Sequence, residues 1–172
     1  RYGVNNRPGL PGNQWMTILG VGHYINFKAE PVGSPVSETV ELLFQVRLEQ
    51  EQKDGVYLPK VDYTPPLTMD EDGLGPIVLA NPGRLWMVGN EPDVANNSQD
   101  NVMPSTYAWA YRDVYNFIKN LDPTAHVANG GLSMMTPGRA HYLDIVWNTY
   151  QNAFGEAMPV DVWNMHLYIL PE

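Results

Sequence analysis

Residues 84–93 read R-L-W-M-V-G-N-E-P-D, an apolar run that ends on Gly89 and passes at once into Asn90, Glu91, Pro92 and Asp93. A short apolar run bounded by turn residues predicts a buried strand, here over 84–89. Downstream, residues 104–121 set Tyr107, Ala110, Tyr111, Val114, Phe117, Ile118 and Leu121 at helical spacing, with Pro104 at the opening and Asp122-Pro123 as the stop. Residues 126–129 predict the next strand, turned by Gly130-Gly131, and 139–154 a second helix closed by Gly155. The run V-D-V-W-N-M-H-L-Y over 160–168 predicts another strand.

Working back from residue 84, short strands are expected over 1–5, 20–27 and 40–48, with a helical turn over 14–19. Residues 51–69, with Pro59, Pro65 and Pro66, read as a long loop, and 70–80 as a short helix closed by Asn81-Pro82-Gly83. Strands alternating with helices predict an α/β fold with a parallel sheet. Six strands in this order suggest a (β/α)8 TIM-barrel type, incomplete because a closed barrel uses about 250 residues. Residues 1–172 are accordingly read as one domain, the N-terminal portion of such a barrel. An open doubly wound sheet also accommodates six strands, but no Gly-rich phosphate loop follows the first one.

Composition narrows the chemistry. The chain has 172 residues, 44% of them hydrophobic, and a formal net charge of -9. Ten dispersed Lys and Arg on an acidic chain disfavour nucleic acid and anionic lipid, and no apolar run approaches the length of a membrane span. The absence of cysteine removes disulfides, thiolate catalysis and Cys-ligated metals, and leaves the compartment open, secreted or cell-surface locations included. The four histidines lack metal-ligand spacing, and Asp70-Glu71-Asp72-Gly73 lacks the distal Glu of a calcium loop. No metal and no cofactor are expected.

In a barrel, polar residues directly after a strand face the active site. A carboxylic acid there is partly desolvated, which holds its proton and suits Glu91 to general acid work. Asn90 offers a donor and an acceptor to a substrate hydroxyl, and Pro92 restricts the turn. The same four residues also read as plain turn chemistry. His166 and Tyr168 at the last strand, with His23 and Asn26 near the second, bring further hydrogen-bonding groups to that face. Trp86 and Trp163 are assigned to the core.

The segment W-M-V-G-N-E-P-D resembles the fourth strand of the large clan of retaining (β/α)8 glycoside hydrolases, where an Asn-Glu pair closes that strand and the Glu is the acid/base. The resemblance extends to A-N-G-G-L over 128–132 and W-N-M-H-L-Y over 163–168, where such enzymes place His and Tyr near the sugar. It implies a glycosidase acting on a carbohydrate, with Glu91 catalytic and Asn90, His166 and Tyr168 binding substrate, and Asn26 and His23, placed near the second strand, are expected to join them. The clan's nucleophile is a second Glu after a seventh strand, and the retaining reaction needs two carboxyl groups about 5 to 5.5 Å apart. The 172 residues are therefore expected to be inactive alone, with the remaining strands or another subunit packed on the exposed edge. The alternative is a non-catalytic sugar-binding or structural protein on a decayed barrel.

Overall fold

The computed structural model describes residues 3–5, 12–30, 40–96 and 98–167. Its elements run β1 (Gly3–Asn5), α1 (Gly12–Ile18), β2 (His23–Ile25), β3 (Glu41–Leu42), β4 (Phe44–Lys53), β5 (Val56–Thr64), α2 (Leu74–Ala80), β6 (Leu85–Val88), α3 (Pro104–Leu121), β7 (His126–Asn129) and α4 (Pro137–Phe154). They form a mixed α/β structure with one parallel sheet ordered β1-β2-β3 and another ordered β5-β4-β6-β7. Among these strands only β5 runs antiparallel to its neighbour. Leu43 alone separates β3 from β4, and its N–H donates to the Tyr24 carbonyl at 2.9 Å. The two sheets thus join along one run of chain, and the parallel strands follow sequence order.

Alternation along β4, β6 and β7 decides what faces the helices. Phe44 pairs with Trp86 and Trp86 with Val127, and all three belong to the core that takes in Tyr111, Val114 and Ile118 of α3 with Val146 and Tyr150 of α4. The Phe44 and Trp86 rings stack at 4.5 Å, and Trp86 is fully buried. Burial of each such side chain stabilises the fold by roughly 2 to 3 kcal/mol. Where α3 stops, Asp122 accepts hydrogen bonds from Gly83 N–H at 2.7 Å and from Thr124 N–H at 3.0 Å. One carboxylate therefore fastens the helix end to the turns that feed β6 and β7.

Three expectations are corrected. Residues 51–69 are not a loop: β4 continues to Lys53 and turns through Asp54 and Gly55, with φ of 52° and 77°, into β5. Two successive left-handed residues make the tight hairpin turn that Asp-Gly favours. Of the strand expected over 160–168, residues 160–167 do not form a regular strand either, and Tyr168 lies outside the described residues. Among the described residues they make only two isolated parallel bridges, Ala128 to Val162 and Leu132 to Met165. Between those bridges the side chain of Asn129 takes the place of the ladder, accepting from Asn164 N–H at 2.8 Å and donating to the Asn164 carbonyl at 2.9 Å. Trp163, expected in the core, is 52% exposed, while Trp86 is buried. Closure into a barrel is not shown, since among the described residues neither end of the joined sheets pairs with the other.

Candidate active site

The end of β6 is bent into an elbow. Gly89 has φ of 86° and Glu91 φ of 45°, so two left-handed residues flank Asn90. Gly89 is locked on both sides: its N–H donates to the Val46 carbonyl at 2.8 Å, and its carbonyl accepts from Gln45 Nε2 at 2.7 Å. A Cβ on Gly89 would lie 3.0 Å from Asp100 Oδ2, which leaves little room for any other residue.

Asp100 organises one flank of the elbow. Its carboxylate accepts from Asn90 N–H at 2.8 Å and from Leu48 N–H at 3.0 Å, and it is paired with the Arg47 guanidinium. Burial pushes this carboxyl above its usual range, while Arg47 and the two amides pull it down. The Asn90 side chain donates to Gln99 Oε1. On the other flank Asp93 accepts from Ser133 N–H and Oγ, each at 3.1 Å, and pairs with Arg139 near the start of α4. Pro92 contributes its carbonyl, which accepts from Val102 N–H at 2.9 Å. The four residues 90–93 are each held by a group distant in sequence.

Glu91 is 7% exposed, its N–H donates to the Gly131 carbonyl at 3.0 Å, and its Oε1 lies 2.8 Å from His166 Nδ1. The ring of His166 packs on the backbone of Gly131, and the backbone N–H of His166 donates to the Leu132 carbonyl at 3.2 Å. This contact suits either protonation state. As a carboxylate Glu91 accepts from Nδ1–H, and as an acid it donates to a bare Nδ1. A buried carboxyl that can hold or release a proton beside an imidazole is equipped for general acid/base chemistry.

The structure brings Glu91, Asn90 and His166 to one end of the parallel strands. Asn26 follows the end of β2, where its Nδ2 donates to the Glu30 carbonyl at 2.8 Å and its Oδ1 accepts from Lys28 N–H at 3.1 Å. His23 opens β2, with its ring packed against Gly3. Tyr168 lies outside the described residues. The supporting residues Arg47, Asp100, Gln99, Ser133 and Arg139 carry no signal in the sequence that marks them for the site. Asp100 and Gln99 fall in a polar stretch with no periodicity, and nothing local marks Arg47 as their partner.

A cleft of about 610 Å³ opens between the β4–β5 hairpin and the segment 98–101, lined by polar groups that include Arg47, Glu49, Gln52, Asp62, Gln99 and Asn101. It adjoins the elbow through Gln99 and Asp100 and is not lined by Glu91 or His166. Among the described residues no group of three His, Cys, Asp or Glu is placed to hold a metal ion, and no helix is long and apolar enough to cross a membrane.

No protein-family model matches the sequence, and no curated protein does. Solved structures with this fold do exist. A GH128 (subgroup I) endo-β-1,3-glucanase from Amycolatopsis mediterranei in complex with laminaritriose matches 98% of the chain with a TM-score of 0.66 and 18% identity. A Glu-to-Gln variant of that enzyme in complex with laminarihexaose gives the same values. A Glu-to-Ala variant with laminaritriose and laminaribiose gives 0.66 and 17%. The chain spans 57% of the length of each. The likeness is one of fold.

Proposed function

We propose that residues 1–172 form, as a single domain, the N-terminal part of a (β/α)8 glycoside hydrolase that cleaves a β-1,3-linked glucan or a closely related glycan with retention of configuration. The observation that carries this reading is the Glu91 carboxyl, buried at a strand end and 2.8 Å from His166. In this reading Glu91 protonates the departing glycosidic oxygen and later takes a proton from water. Asn90, His166, Tyr168, Asn26 and His23 hold sugar hydroxyls, and no step calls for a cofactor.

The reaction needs a second carboxylate about 5 to 5.5 Å away. Asp93 and Asp100 are both engaged by arginines, and in this reading the second carboxylate comes from a seventh strand outside residues 1–172. The same further chain would cover the apolar edge at Val162, Trp163, Met165 and Leu167, all exposed. The likeness in fold to endo-β-1,3-glucanases supports the choice of glucan as substrate.

The test is made on the full-length enzyme. Glu91→Gln should lower turnover of a β-1,3-glucan by about 10²- to 10⁴-fold. On an activated aryl glycoside the first step should survive and the second should stall. Azide, which needs no general base, should then restore turnover and give a glycosyl azide of retained configuration. Unchanged hydrolysis of the glucan by Glu91→Gln would reduce 90–93 to a turn.

A further inference from the structure

The hydroxyl of Tyr107, on α3, sits where β6 and β7 end side by side. It donates to the carbonyl of Val88, the last residue of β6, at 2.8 Å, and accepts from the N–H of Gly130, just past β7, at 2.7 Å. The residue is 1% exposed, so neither bond is exchanged with water. Gly130 comes so near β6 that a Cβ would lie 2.6 Å from the Val88 carbonyl oxygen.

The next residue carries both halves of the acid/base pair. The Gly131 carbonyl accepts the Glu91 N–H at 3.0 Å. Its Cα supports the His166 ring so closely that a Cβ would fall 2.6 Å from Cδ2 and 2.7 Å from Nε2. A shift of the Gly130–Gly131 segment therefore moves the backbone of Glu91 and the ring of His166 together.

We propose that Tyr107 is a positioning residue for the Glu91–His166 pair, its hydroxyl fixing the Gly130–Gly131 segment against the end of β6. The proposal rests on the reading of that pair as the seat of acid/base chemistry. Tyr111 supplies a matched comparison. It is also on α3 and buried, but its hydroxyl donates to the Pro159 carbonyl at 2.8 Å and not to the Gly130–Gly131 segment.

Tyr107→Phe and Tyr111→Phe each delete one hydroxyl and keep the ring. In the full-length protein, three quantities are compared: the thermal midpoint, the imidazole resonances of His166 by NMR at one fixed pH, and kcat with KM on a β-1,3-glucan. Both variants should melt earlier. Only Tyr107→Phe should shift the His166 ring resonances, as the Glu91 contact lengthens. It alone should lower kcat about tenfold with KM within about twofold of the parent. If Tyr107→Phe matches Tyr111→Phe in its His166 resonances and its turnover, Tyr107 is a core residue and the proposal falls. If the parent protein hydrolyses no glycan, the glycosidase reading fails while the His166 resonances still decide this one. Should Tyr107→Phe lack a cooperative melt, site-specific replacement of Tyr107 by 4-aminophenylalanine takes its place, since the amine still donates to the Val88 carbonyl but is a poor acceptor for the Gly130 N–H. Parental His166 resonances in that variant overturn the proposal, and displaced ones uphold it.

Discussion

Gly89 and Glu91 share a backbone region that only glycine enters without strain, so the elbow at the end of β6 holds one relaxed and one strained residue. A non-glycine residue held there costs roughly 1 to 3 kcal/mol, and such strain gathers at functional positions. Gly89→Ala should add a second strained residue and press a methyl toward Asp100. The expected loss is about 1 to 3 kcal/mol by urea unfolding, and a loss below about 0.3 kcal/mol would mean that the elbow is soft. Asn90 and Glu91 were legible in the sequence because a strand pattern ran straight into them. Their support was not: Arg47 and Asp100 lie 53 residues apart, Ser133 and Asp93 40 apart. Pairings at that range are made by the fold and leave no local pattern.

At the scale of elements, α3 was read to its observed bounds because its buried positions fall at helical period and Pro104 and Asp122 mark both ends. The hairpin β4–β5 escaped for an identifiable reason. Residues 49–54, E-Q-E-Q-K-D, carry no apolar alternation, and Pro59 interrupts the run after the turn. In the structure the β4–β5 register shifts between Gln50 and Gln52, and Gln50 Nε2 donates to the Leu58 carbonyl beside Pro59, at 2.6 Å. The Asp54-Gly55 pair was the available signal. Asp122, at the stop of α3, has its carboxyl held below its usual range, chiefly by the Thr124 hydroxyl. A depressed carboxyl stabilises the fold fully above its unfolded value, near 3.8, and loses that contribution as pH falls through the folded value. Asp122→Asn should therefore lower the melting temperature at pH 7 and narrow its gap to the parent below about pH 4. A gap that stays constant down to about pH 2 would contradict this account.

For the molecule as a whole, strand order was legible and the manner of closure was not. The βα alternation states which strand follows which, but whether the sheet returns on itself depends on residues that touch across it. Segment 160–168 shows the difference: Val162, Trp163, Met165 and Leu167 look like a buried strand in sequence, yet they are 37 to 79% exposed. Among the described residues Trp163 meets another ring only at Trp147, 6.2 Å away. An apolar edge of this kind recruits partners. Residues 1–172 prepared alone should sediment as dimers or larger species, and a cooperative monomer of 19.3 kDa would count against the edge being sticky.

The amide of Asn129, which stands in for a ladder between β7 and residue 164, has a consequence in time. Strands β4, β6 and β7 with α3 and α4 share one core, whereas the segment bearing His166 is joined to β7 by two bridges and by the side chains of Asn129 and Asp161 rather than by a continuous ladder. Local opening should therefore begin there, with the amides of Asn164 and His166 exchanging with solvent sooner than those of β6 and β7, and the contact between Glu91 and its histidine should be made and broken without disturbing the sheet.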